Sequence, residues 1–172
     1  MAQRVLDRLR EVLGDTIVET RSCSGDEIAF VRRSDWHRVA EFLRDDPACA
    51  FDMFVDLTGC DYPKEEERLE VWLRLYSLRH KQRICLKTRV PEDDPTVGTV
   101  TDLWKGASWF ERETYDMLGV RFEGHPDLRR ILLYEQFEGH PLRKDYPLAR
   151  RWPLVPERDP ITQPWYPRTE GR

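Results

Sequence analysis

The sequence predicts an α+β fold, in which helices cover one face of a mixed, mainly antiparallel sheet. Three segments repeat apolar residues at helical spacing, three others alternate apolar with polar residues, and two short strand candidates are joined by a turn-like stretch. Their order along the chain is helix, two strands, helix, three strands, helix, which is typical of a two-layer sandwich. A chain of 172 residues buries enough surface to fold without a disulfide or a metal.

The helical segments are bounded by residues that commonly start and end helices. Ser34 is placed to cap the second helix. Ser108 and Glu111 have the spacing of a capping box for the third helix, and Gly119 is its expected left-handed terminal residue. The predicted helices span residues 2–13, 35–44 and 109–118, with a further short helical segment at 100–104.

Alternation of period two predicts strands with one buried face and one face that is wet or covered by another element. The last two strands are close in sequence, which favours antiparallel pairing. The charged residues 64–68, before the fourth strand, are predicted to form a solvated hairpin loop. The predicted strands span residues 16–20, 27–32, 51–57, 69–78 and 82–90.

Periodicity fades after about residue 124, so we expect a globular domain at 1–123 and an extended, proline-rich segment at 124–172. Six of the twelve prolines lie from Pro147 onward, which excludes a helix or a central strand there. Trp152, Trp165 and Tyr166 lie among them. A disordered tail is usually poor in aromatic residues. We therefore expect an arm that lies on another protein, with a flexible terminus as the alternative.

Composition narrows the classes of function. The net charge of −4 with no clustered basic face argues against nucleic-acid binding. No apolar run approaches the ~20 residues that span a bilayer, and the N-terminus lacks the pattern of a targeting peptide. We expect membrane association only through a partner. The four cysteines lie at least eleven residues apart, so free thiols are expected rather than a metal or iron–sulfur site.

Charged residues are densest on and after the third helix. Arg112 and Asp116 stand at the i,i+4 spacing of a helical ion pair. Basic residues downstream could pair with the acidic residues of the helix or with acidic groups on a partner. The alternative is an ordinary solvated helix face. The acidic and basic residues are Glu111, Arg112, Glu113 and Asp116, followed by Arg129, Arg130, Arg143 and Lys144.

These residues form a pattern that resembles the signature of the C subunit of respiratory complex I. The pattern is E-R-E-x-x-D, two apolar residues, six residues, H, three residues and R-x-I-L, beginning at Glu111 and ending at Leu132. The block G-H-P-L-R-K-D-Y-P-L at 139–148 resembles the closing motif of that family. The resemblance is strong over 108–148, and looser over the first hundred residues.

The resemblance implies a hydrophilic, non-catalytic subunit of the peripheral arm on the cytoplasmic face of the bacterial inner membrane. It implies no cofactor on this chain, because NADH, FMN, iron–sulfur clusters and quinone are bound by other subunits. The implied partners are a large hydrogenase-like subunit that forms the quinone pocket and a ferredoxin-like iron–sulfur subunit. An equivalent subunit of a ferredoxin-linked or hydrogen-linked complex is the alternative.

The candidate site is therefore a partner interface without catalytic, cofactor-binding or metal-binding residues. A rival hypothesis is a metal-dependent hydrolase built from His125, Asp127 and His140. Both histidines precede prolines in loop-like stretches, and no H-E-x-x-H spacing is present. The interface residues are predicted to be Glu111, Arg112, Glu113, Asp116, His125, Arg129, Arg130, His140, Arg143, Lys144, Asp145 and Tyr146.

Overall fold

A computed structural model of the chain, which describes residues 3–23, 25–147 and 149, confirms the α+β class. Five strands form one sheet in the order β1-β2-β5-β4-β3. Neighbouring strands are antiparallel except β2 and β5, which are parallel. The elements are α1 (Gln3–Leu13), β1 (Ile17–Cys23), β2 (Asp26–Val31), α2 (Trp36–Asp45), β3 (Met53–Asp61), β4 (Leu69–Ser77), β5 (Gln82–Val90), β6 (Thr96–Gly98), α3 (Ala107–Leu118) and β7 (Arg121–Glu123).

The predictions of a short helix at 100–104 and of a cap at Ser34 are wrong. Residues 100–104 form a turn instead of a helix, and the amide of Trp104 donates to the carbonyl of Val100. Ser34 does not cap α2, because its hydroxyl bonds to Asp35 and a short 3₁₀ turn precedes the helix. The parallel pair of β6 and β7 was not predicted, since three residues are too few to display alternation.

The core lies between one face of the sheet and the helices. In β4, Val71, Leu73 and Leu75 point into this core and are fully or almost fully buried. Trp36 of α2 and Leu9 of α1 complete it without any exposed surface. We call the opposite side of the sheet the outer face.

Helix α3 packs against β3 at Gly59, which belongs to the same core. A Cβ atom at Gly59 would lie 2.6 Å from Leu118 Cδ1 and 3.2 Å from Thr114 Cγ2. The absence of a side chain at this position therefore sets how closely α3 approaches the sheet. This contact places the charged helix predicted as the functional site.

Residues 124–147 have no regular helix or strand, yet they follow the surface of α3 and return to the sheet. Arg68 fixes the C-terminal part of this segment to the sheet. Its guanidinium bonds to both oxygens of Asp61 at 2.7 and 2.9 Å, and also to Asp145 and Glu92. The loop prediction is thus wrong at Arg68, which is buried.

The boundary after residue 123 stays a prediction, and the aromatic arm with Trp152, Trp165 and Tyr166 lies outside the described residues. The four cysteines form no disulfide in the part of the chain that the structure describes. Among the described helices, none is both long and apolar enough to cross a membrane.

Replacing Gly59 by Ala should lower the free energy of unfolding by about 1–3 kcal/mol, because the new methyl group overlaps Leu118 and forces α3 away from β3. Chemical denaturation followed by circular dichroism measures this loss. Gly14→Ala is the matched control, since nothing lies within 4 Å of a Cβ atom there. Equal stability of the two variants would contradict the packing argument.

Candidate partner-binding surface

The site is built on α3, whose ends are set by two glycines. Gly106 occupies the N-cap position, and no side chain caps the helix there, so the capping-box prediction is wrong. Gly119 ends the helix with φ +82°, as predicted, and its amide donates to the carbonyl of Tyr115. A Cβ atom at Gly119 would lie 2.6 Å from His140 Nε2. This position therefore needs glycine both for its backbone and for the approach of the following segment.

Glu111 is fully buried and ties α3 to the loop after β6. Its carboxylate accepts the hydroxyl of Thr99 at 2.6 Å and the amide of Val100 at 2.8 Å. Burial raises its pKa to about 7, with the charge of Asp102 adding to this effect, although the two hydrogen bonds act in the opposite direction. The capping box is missing because the side chain of Glu111 points inward to this loop.

Asp116 is also fully buried, and it organises the segment after β7. One oxygen accepts the consecutive amides of Ile131, Leu132 and Leu133 at 3.0, 2.8 and 2.9 Å. The other oxygen accepts Arg130 at 2.7 Å. Burial opposes ionisation, but the amides and Arg130 outweigh it and hold the pKa of Asp116 below its usual range. The carboxylate is thus committed to contacts within its own chain.

Arg112 does not pair with Asp116, so the predicted i,i+4 pair is wrong. Its Nε and Nη2 atoms donate to the carbonyls of Arg129 and Arg130, each at 3.1 Å. Its guanidinium also lies 5.3 Å from the centre of the Trp109 ring. Two residues of the helix, Arg112 and Asp116, therefore fix carbonyls and amides of the same segment, 129–133.

The two predicted histidines lie near opposite ends of α3. His125 contacts Ser108 through Nε2 at 3.1 Å and accepts the amide of Asp127 through Nδ1. His140 donates through Nδ1 to the carbonyl of Asp116 at 3.0 Å. Burial lowers the pKa of both.

This separation does not support the rival metal hypothesis. His125 contacts Ser108 and His140 contacts Asp116, and eight residues of helix correspond to about 12 Å, so the two histidines are not brought together. Among residues 3–23, 25–147 and 149, no three histidine, cysteine or acidic side chains converge in an arrangement that could hold a metal ion. Both histidines instead anchor the chain to α3.

The closing block, residues 139–147, is fixed to α3 and β3. Arg143 Nε donates to the carbonyl of Leu118 at 2.7 Å, and the amide of Lys144 donates to Asp61 at 2.6 Å. Asp145 binds Arg68 at 2.7 Å. The ring of Tyr146 stacks on Phe137, with centres 6.0 Å apart. These residues hold the block in place, and the side chains of Lys144 and Asp145 remain exposed.

Three apolar side chains that were not predicted as site residues are exposed along α3. Trp109 is 61% exposed, Leu132 62% and Leu142 56%. Leu132 lies beside Asp116, and the amide of Leu142 donates to the carbonyl of Met117. We call Trp109, Leu132 and Leu142 the apolar row. Exposed apolar groups rimmed by polar residues mark interaction sites, here with exposed Glu113 and Arg129 beside them.

The pKa of Glu111 gives stability a pH dependence. Its value of about 7 in the folded chain exceeds the ~4.3 of an unfolded glutamate, so the folded state binds this proton more tightly. Stability therefore falls as pH rises between these two values and is level above them. Glu111→Gln cannot titrate.

The free energy of unfolding of the unmodified chain, relative to Glu111→Gln, should fall by about 2 kcal/mol between pH 5 and pH 8. Urea titrations of both proteins at several pH values measure this difference. A difference that does not change with pH, or one that rises, would contradict the assignment.

The comparisons with known proteins agree with the motif. The family model described as "Respiratory-chain NADH dehydrogenase, 30 Kd subunit" matches residues 29–151. A relative from Methylobacterium sp. (strain 4-46), named as the C subunit of NADH-quinone oxidoreductase, is 50% identical over 148 residues, which are 86% of this chain and 68% of the relative. One of the same name from Roseiflexus sp. (strain RS-1) is 49% identical over 145 residues, covering 84% of this chain and 83% of that protein.

Two solved structures share the fold. The trypsin-resistant fragment (1-134) of Nqo5 aligns with a TM-score of 0.62 and 33% identity over 73% of this chain and 98% of the fragment. A chain of the membrane-bound sulfane sulfur reductase, an archaeal respiratory membrane complex, aligns with a TM-score of 0.72 over 86% of each chain. Its identity of 21% shows the fold alone. The resemblance seen in the motif is confirmed, and the chain belongs to the family of the 30 kDa subunit of respiratory-chain NADH dehydrogenase, which includes the C subunits of NADH-quinone oxidoreductases.

Proposed function

We propose that this chain is a scaffold subunit of a proton-translocating NADH-quinone oxidoreductase and carries out no chemistry itself. In this proposal NADH, FMN, iron–sulfur clusters and quinone are bound by other subunits of the complex. The proposal rests on the observation that two acidic residues of the motif bind within their own chain. Glu111 and Asp116 are 0% exposed and accept hydrogen bonds from their own chain. The buried residues of the motif thus determine the shape of a surface.

That surface suits a protein partner. The segment 129–133 is fixed to α3 through Arg112 and Asp116, so Leu132 is presented from a backbone that needs no further ordering. A preorganised surface binds with a smaller entropic cost. The apolar row supplies side chains that lose contact with water on association. We propose that the large hydrogenase-like, quinone-pocket subunit covers this row.

The exposed charges of the site have a secondary role. Arg129 pairs with Asp127 at 3.0 Å, and both side chains are largely exposed, so the pair contributes little to the stability of the isolated chain. We propose that Glu113, Arg129 and Lys144 surround the apolar row and orient the partner. The ferredoxin-like iron–sulfur subunit and the arm predicted from Pro147 onward belong to the same assembly in this proposal.

The proposed location is peripheral, on the cytoplasmic face of the bacterial inner membrane, with contact to the membrane only through the complex. The relatives at about 50% identity bear the name of the quinone-reducing enzyme. This name favours NADH-quinone oxidoreductase over the ferredoxin-linked or hydrogen-linked alternative. The shared fold alone does not support that alternative.

Replacing Leu132 by Ser should reduce the share of the chain recovered with other subunits of the complex by about tenfold, because a buried leucine at an interface contributes roughly 1.5–3 kcal/mol. The isolated variant should unfold as the unmodified chain does, since its backbone bond to Asp116 remains. Quantitative affinity purification and denaturation of the isolated chain measure the two effects.

Leu78→Ser is the matched control, because Leu78 is 59% exposed in the turn after β4, where its amide donates to Asp52 and not to a residue of α3. It should assemble normally. Normal assembly of Leu132→Ser, or equal loss in both variants, would count against the apolar row as the interface.

A further inference from the structure

The outer face of the sheet carries aromatic rings among its charged side chains, whereas a solvent-facing sheet is normally polar throughout. Phe30, Trp72 and Tyr76 lie on it, and Lys87 Nζ stands 3.4 Å from the centre of the Trp72 ring and 5.4 Å from that of Phe30. The three helices pack in the core on the other side. The aromatic rings of this face are only partly buried.

A groove of about 500 Å³ opens at one end of this face. Met53 and Val55 of the edge strand β3 form one wall, and both are almost half exposed. The register of β3 against β4 shifts at Val55, which turns this side chain away from the regular alternation. Tyr76, Arg74 and Arg83 form much of the remaining lining.

The two arginines of the groove carry charge that no ion pair among the described residues neutralises. Arg74 lies 5.7 Å from the centre of the Trp72 ring, and Arg83 lies 6.0 Å from that of Tyr76. Neither forms an ion pair with a described residue, although Asp56 stands opposite Arg74 in the sheet. By contrast, Lys87 and Arg89 share Glu70, at 3.1 and 3.4 Å. Asp26 is the one carboxylate among the described residues that line the groove.

We propose that this groove is a second docking surface, which binds an acidic segment with apolar side chains from another subunit of the complex. The proposal rests on the proposed function. Carboxylates of the segment would pair with Arg74 and Arg83, which the rings beneath hold in place. Its apolar side chains would cover Met53 and Val55.

Charge argues against two other occupants. Residues 150–172 of this chain contain five arginines and three acidic residues, so they share the sign of the groove. A second copy bound about a two-fold axis would place Arg74 and Arg83 against their own equivalents, and like charges across an interface are costly. An acidic partner segment meets neither objection.

The position of the groove gives the chain two binding sides. Helix α3 packs on the core side of β3 at Gly59, whereas Met53 and Val55 face the groove from the outer side. A subunit covering the apolar row and a segment in the groove would therefore not compete. The chain would join two parts of the complex across its own sheet.

The first test replaces both arginines in the full chain, as Arg74→Gln/Arg83→Gln, and measures the share recovered with the complex. We expect a loss of about tenfold, with the denaturation midpoint of the isolated chain unchanged. Arg74→Lys/Arg83→Lys should retain assembly, because it keeps both charges. Arg4→Gln/Arg38→Gln, which removes two exposed charges from α1 and α2, should assemble normally. Normal assembly of the glutamine variant would overturn the proposal.

The second test identifies the occupant, and it holds even if the glutamine variant folds poorly. A photoreactive phenylalanine analogue replaces Val55, and the assembled complex is irradiated and its linked peptides are sequenced. The proposal expects a link to an acidic segment of another subunit. A link to residues 150–172, a link to a second copy, or no link would overturn it. If the unmodified chain is recovered without other subunits, the proposed function itself fails, which separates the two failures.

Discussion

The architecture of the site depends on the carboxylate of Asp116. It is removed from water, and burying a charge is favourable only when hydrogen bonds replace its hydration. Three consecutive amides and the guanidinium of Arg130 do so. Segment 131–133 can donate to this carboxylate in only one arrangement against α3. Arg112 fixes the carbonyls that precede the segment. The shape of the exposed surface follows from this internal contact.

Glu111 and Arg68 act in the same way elsewhere. Glu111 joins α3 to the loop after β6, and Arg68 joins the closing block to the sheet through Asp61 and Asp145. Each is a buried ionisable side chain whose partners come from other elements of the fold. The prediction that the charges between 111 and 143 contact another polypeptide is therefore corrected for Glu111 and Asp116, whose side chains no partner can reach. For exposed Glu113 and Arg129 it stays a proposal.

The sequence was sufficient for the fold because alternation and helical spacing are local. The predicted strand 82–90 coincides with β5, and the prediction for β4 differs by one residue. Charge pairing is not local: the i,i+4 rule favoured Arg112 with Asp116, but a loop 14 to 18 residues downstream offers better partners to each. Likewise, the spacing of Ser108 and Glu111 does not reveal that Glu111 accepts the amide of Val100. The exposure of Leu132 depends on the same loop and could not be read from its apolar character.

The most direct test of this account is hydrogen exchange at the amides of Ile131, Leu132 and Leu133 in the isolated chain. If Asp116 orders this segment without a partner, these amides should exchange slowly, at rates near those of the sheet amides of β4 and β5, since opening them requires exposing a buried charge. Fast exchange in the isolated chain, with protection only after assembly, would show that the partner orders the motif and would contradict the account.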